Sequence, residues 1–192
     1  MPVYRWITPF SDATKSLRSP DPEAEALATW AAWTVDELHY LTDLENLDVS
    51  RHLQHSPDVI DHAHARWATM SAATALDLCG AALARHYGFQ KGDHELDLND
   101  LRKKTIPQVA RVWVDGVWTD ADYQLVLKAR HSLTHKRLPR NLYVGSANRT
   151  ELRIRQGHVE IAVTIPDVVR NSTEVATRHV EKFLAEAKAG RF

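Results

Sequence analysis

Residues 56–88 read SPDVIDHAHARWATMSAATALDLCGAALARHYG. Ser56-Pro57-Asp58 offers a cap followed by a first-turn proline, and Val59, Ala63, Trp67, Met70, Ala73 and Leu76 recur at helical spacing as far as Tyr87, where Gly88 ends the run. The small residues Ser71-Ala72-Ala73-Thr74-Ala75 imply close approach of a neighbouring helix. Upstream, a helix is predicted from Glu23 to about Leu53. Leu27, Ala31, Val35, Leu38 and Leu41 mark one of its faces, and Trp30, Trp33, Tyr40, Leu44 and Leu47 another. Two apolar faces predict a helix sandwiched between neighbours.

Downstream, residues 89–97 read as a polar loop, and a shorter helix is expected from Leu98 to about Trp113 despite Pro107. Asp115-Gly116 then reads as a turn, and Thr119 as the N-cap of a helix running through Tyr123, Val126, Leu127 and Leu133 until Pro139. Period-two alternation around Gln156-Gly157 predicts a β-hairpin at about 151–164. Pro166-Asp167 opens a last helix with a stripe of Val168, Ser172, Val175, Ala176, His179, Val180, Phe183, Leu184 and Ala187. The expected fold is mainly all-α: an antiparallel bundle of four or five helices with one small inserted β-hairpin. Residues 1–20 read as an irregular arm and 21–192 as a single domain.

The composition agrees with one globular domain: 192 residues, 24 Lys and Arg against 25 Asp and Glu, and a single cysteine. Cys79, between Leu78 and Gly80, reads as a packed thiol, which suits a reducing, cytoplasmic setting. No apolar run approaches the roughly 20 residues that span a bilayer, so no membrane role is expected. The chain has no glycine-rich phosphate loop, no Gly-x-Ser-x-Gly elbow and no reactive-cysteine context, which sets aside nucleotide triphosphatase, esterase and thiol chemistry.

Charge is segregated along the chain. Ser19 to Ser50 contains eight acids and no Lys or Arg, whereas Tyr123 to Thr150 contains no acid but carries Lys128, Arg130, Lys136, Arg137, Arg140 and Arg149. Such a basic stretch attracts phosphates. Within it, His131 and His135 stand one helical turn apart beside Arg130. A guanidinium that holds an anionic phosphorane and an imidazole that moves a proton near neutral pH are what phosphodiester cleavage requires, with no metal or other cofactor. The histidine pairs His52/His55, His62/His64 and His131/His135 have neither a local Glu in a His-Glu-x-x-His arrangement nor a Cys partner, so no metal site is expected. Among the tryptophans, Trp30, Trp33 and Trp67 sit at core spacing, while Trp113 and Trp118, flanking the expected turn, are the better candidates for exposure.

Arg130-His131-x-x-x-His135, near the end of a late helix in a helical domain of this size, resembles the motif of the HEPN superfamily. That motif is an Arg, then commonly Asn, Asp or His, then a His four to six residues after the Arg. The resemblance implies a metal-independent endoribonuclease, a toxin or antiphage effector, acting as a homodimer. It assigns phosphate stabilisation to Arg130, general acid/base work to His135 and an orienting role to His131, with 2',3'-cyclic phosphate and 5'-OH products. Lys128, Lys136, Arg137 and Arg140 fit as RNA-backbone contacts. An antitoxin or regulatory protein is a further implied partner. The alternative is a catalytically silent module of the same fold that binds a protein, nucleic acid or nucleotide.

Overall fold

A computed structural model describes residues 17–46, 57–89, 96–135, 142–144, 150–156 and 159–192. Among the described residues there are six helices, α1 (Pro22–Asn46), α2 (Pro57–His86), α3 (Leu98–Arg102), α4 (Gln108–Thr119), α5 (Ala121–His135) and α6 (Ile165–Lys188), and three strands, β1 (Leu142–Val144), β2 (Thr150–Gln156) and β3 (Val159–Thr164). The chain is a mainly α-helical bundle carrying a small antiparallel sheet, as the periodicity predicts. Most of the arm, residues 1–16, and the expected extension of the first helix to Leu53 lie outside the described residues. Leu17, assigned to the arm, is buried in the core.

The bundle centres on α1, α2 and α6, which pack on one another, with α5 lying against α2 and α6. Asp21 opens α1 by accepting from the Glu23 N–H at 2.9 Å. Ala24, Ala28, Ala31, Val35, Leu38 and Leu41 of α1 are buried in one core with Ala65, Ala68, Ala72, Ala75, Leu76 and Leu83 of α2. The alanines let the backbones approach closely, as residues 71–75 suggest. Gly88, at φ 73°, ends α2 in a left-handed conformation, and the Phe89 N–H closes on the Ala84 carbonyl. Gly80 matters for space rather than for backbone angle. A Cβ there would lie 2.8 Å from the Leu98 backbone, so its absence seats α3 directly on α2.

Three local expectations are corrected. The single helix from Leu98 to Trp113 is two, because Pro107 has no N–H to donate and leads into α4 from extended backbone at ψ 150°. Asp115-Gly116 is no turn but lies inside α4, whose Ala110, Trp113, Val114 and Val117 form a continuous buried stripe across it. Thr119 does not cap α5; its hydroxyl donates back to the Asp115 carbonyl at 2.8 Å. The cap is Asp120, whose Oδ1 accepts from the Asp122 and Tyr123 N–H groups at 2.8 and 3.3 Å.

The expected hairpin is β2–β3, with Leu152 opposite Val163 and Ile154 opposite Ile161, and β1 adds a third antiparallel strand in the order β1-β2-β3. Leu152 and Ile154 turn into the core, where β2 meets α5. Thr164 caps α6, its hydroxyl bonded to Asp167 Oδ2 at 2.6 Å, and the predicted stripe from Val168 to Ala187 is buried.

The tryptophans reverse their expected placement. Trp30, Trp33 and Tyr40 are 57, 58 and 58% exposed, so α1 is not sandwiched, and Trp67 is 41% exposed. Trp113 is 1% exposed: its Nε1 donates to the His179 carbonyl at 3.0 Å and its ring lies 5.5 Å from Phe183. Trp118 is half-buried beneath the Arg102 guanidinium, 4.6 Å from its ring. Spacing alone orders the faces of one helix; whether a face is covered depends on how many layers the bundle has.

Candidate functional site

Tyr123, Val126, Ala129 and Leu133 recur at three- and four-residue spacing and are buried, which fixes the rotation of α5. That rotation leaves Lys128 and Arg130 half-buried at the margin of the stripe and His131 exposed. The Thr134 hydroxyl donates to the Arg130 carbonyl at 2.8 Å. His135 is the last residue of α5, and its side chain lies outside the described residues, as do Lys136, Arg137 and Arg140. Of the motif, therefore, Arg130 lies at the margin of the buried stripe and His131 on the exposed side next to it.

Arg130 has neighbours that the sequence reading missed. Asp77 of α2 lies within electrostatic reach of it, and so does the Tyr123 phenol two turns earlier on α5. Burial pushes the Asp77 carboxyl up to about 6, and the charge of Asp97 adds to the shift, while the Leu98 N–H that it accepts and the Arg130 guanidinium oppose it. Burial likewise raises the Tyr123 phenol, reinforced by Asp77 and opposed by Arg130. The backbone seat is the one made by Gly80: α3 sits close enough to α2 for Leu98 to bond Asp77, and Asp97 caps α3 by accepting from the Asp100 N–H at 2.8 Å. One signal for Asp77 was present in the sequence. It is the sole charged residue between Arg66 and Arg85, in a stretch otherwise composed for a helix interior.

No family model, curated protein or solved structure matches this chain. Among the described residues no group of three His, Cys, Asp or Glu converges as a metal site would. Burial raises the buried Cys79 thiol, which keeps it from acting as a nucleophile near neutral pH.

A second cluster lies at the opposite end of α5. Asp120 Oδ2 accepts from His179 Nε2 at 2.8 Å and from Arg178 at 2.7 Å, and Arg178 also reaches Asp122 at 3.0 Å. Burial lowers the His179 ring below its usual range, against the pull of Asp120, and Arg178 and Lys182 lower it further. A neutral ring carrying its proton on Nε2 satisfies this geometry and leaves Nδ1 as a buried lone pair without a donor. Burial alone would raise Asp120, but the His179 hydrogen bond, two backbone N–H groups and Arg178 together hold it below the ordinary carboxylate range. His179 is thus a core residue that clamps α6 to the start of α5. Ten residues of helix, about 15 Å at the usual rise, separate Asp120 from Arg130, so the two clusters are distinct.

Proposed function

We propose that the C-terminal end of α5 cleaves RNA phosphodiesters without a metal, in a cytoplasmic enzyme that works as a homodimer and answers to an antitoxin or regulatory protein. The observation that carries this reading is Arg130-His131-x-x-x-His135, with an arginine and two histidines on successive turns of a helix that enters a 28-residue stretch free of acids. Arg130 holds the phosphate and stabilises the charge of the phosphorane. His135 takes the proton of the attacking ribose 2'-OH. As the bond from phosphorus to the 5' oxygen breaks, an imidazolium returns a proton to that oxygen, leaving a 2',3'-cyclic phosphate and a 5'-OH. His131 orients the pair. Lys128, Lys136, Arg137 and Arg140 neutralise neighbouring phosphates. The partial burial of Arg130 supports the role, because a guanidinium held by packing loses little freedom on gripping a phosphate.

A second reading, a silent binding module, is favoured by the charge coupling of Asp77 to Arg130, since an acid can retain a guanidinium for structure alone. The two readings separate in one assay. Wild-type protein and the His135→Ala variant are incubated with mixed single-stranded and structured RNA in excess EDTA, and the product ends are characterised. Cleavage to cyclic phosphate ends by wild type alone is the expected result. Equal cleavage by both proteins, or by neither, removes the enzymatic reading.

A further inference from the structure

Of the seven large apolar side chains exposed among the described residues, six stand on α1 and α2: Trp30, Trp33, Tyr40, Val59, Trp67 and Met70. Between the two helices runs a groove of about 630 Å³, lined by Val59, Ala63, Trp67 and Met70 from α2 and by Thr34 and Glu37 from α1. Half-exposed tryptophans and tyrosines each have on the order of 100 Å² left to bury. With the valine and methionine the face reaches roughly 600 Å², at the top of what a monomer leaves open and close to the roughly 800 Å² per partner of a standard protein interface.

The charge around this face selects its occupant. Helix α1 carries Glu23, Glu25, Asp36, Glu37, Asp43 and Glu45 and no Lys or Arg. Helix α2 adds Asp58 and Asp61 against Arg66 and Arg85, its Asp77 being turned toward Leu98 and Arg130 instead. Arg85 is already held by Asp21 at 3.1 Å and Glu23 at 2.5 Å, leaving Arg66 as the arginine on the groove wall. A second copy docked on this face would set the exposed Glu37 and Asp43 of an α1 without Lys or Arg against the same acids, and an RNA or an anionic lipid surface would meet the same repulsion. A cationic polypeptide is attracted instead.

We propose that the outer face of α1 and α2 is a docking groove for a basic amphipathic helix of a partner protein. The partner's apolar stripe, at i, i+3/i+4 and i+7, enters between the Trp30/Trp33 ridge and Trp67/Met70, while its Lys and Arg residues meet Glu37 and Asp43, both exposed on α1. This surface is independent of the Arg130 site, and its test needs no RNA.

The full chain is titrated with an amphipathic Leu/Lys peptide of about 18 residues, long enough to hold a helix, and with its Leu/Glu twin, following tryptophan emission and heat of binding. The Leu/Lys peptide is expected to bind and shift the emission to the blue, with the Leu/Glu twin at least tenfold weaker. Met70→Lys is expected to weaken Leu/Lys binding tenfold or more. Val112→Lys adds the same charge at another exposed apolar position, on α4, and is expected to leave binding unchanged. Equal affinities for the two peptides, or for the two lysine variants, overturn the proposal. So does a wild-type dimer in sedimentation velocity that Met70→Lys converts to monomer, which would give the face to a second copy.

Discussion

At the start of α5 the Asp120 carboxylate takes two backbone N–H groups, the His179 ring and the Arg178 guanidinium, whereas farther along the same helix Arg130 is coupled to Asp77 of α2, which is half-buried and also feels the charge of Asp97. Burial opposes ionisation at both places. At Asp120 the donors outweigh it and the carboxyl is held low; at Asp77 they do not, and it rises to about 6. The difference teaches how each cation is used. Arg178 is consumed by two carboxylates, at 2.7 and 3.0 Å. Arg130 is coupled to Asp77 through charge, the smallest of the influences on that carboxyl.

The sharpest break in this comparison comes from removing each arginine in turn. Arg130→Ala is expected to lower metal-free RNA cleavage by about 10²–10³-fold, the loss typical of one group stabilising transition-state charge, with Arg178→Ala leaving the rate near that of wild type. Initial rates on one RNA check both. Next in size is Asp120→Ala, which strips α5 of its cap and leaves the His179 ring donor buried without an acceptor. A loss of about 3 kcal/mol in urea-unfolding stability follows from those two costs, whereas Thr119→Ala, at the position the sequence suggested, costs well under 1 kcal/mol.

Smaller than the Asp120 effect is the one that reads the sign of the Asp77 shift. Because its folded pKa lies above the unfolded value of 3.8, the folded state binds the extra proton between about pH 4 and pH 6, and stability falls as pH rises through that window. Asp77→Asn is expected to remove that slope and raise stability at pH 7 by about 2 kcal/mol. His179 acts oppositely. Its lowered pKa means that the folded state resists protonation, so the clamp weakens as pH falls below 6.5. Urea midpoints from pH 4 to pH 8 for wild type and Asp77→Asn therefore separate the two ends of the helix.

Much of this architecture was legible because its causes are local. The α2 boundaries follow from Pro57 and Gly88, and the α6 stripe from its three- and four-residue spacing; the β2–β3 hairpin follows from alternation around Gln156-Gly157. The errors occurred where one local signal competed with another. Asp115-Gly116 has the composition of a turn, yet the buried stripe of α4 continues through it. Thr119 and Asp120 both have capping side chains, and only the meeting of α5 with α6 favours Asp120, because His179 and Arg178 converge on it. Asp77 was passed over because its partners, Arg130 and the adjacent Asp97 and Leu98, come from two other parts of the chain.

By itself the sequence determined α1, α2, α5 and α6, the β2–β3 hairpin and the presence of Arg130, His131 and His135 on one helix, since caps, hydrogen bonds four residues apart and alternation act over short distances along the chain. Tertiary structure alone decided that Trp113 is enclosed while Trp30 and Trp33 are not, that α3 rests on Gly80, and that a half-buried acid of α2 is coupled to Arg130. Burial and charge coupling depend on which distant elements meet in space. That is a property of packing, and no window of sequence contains it.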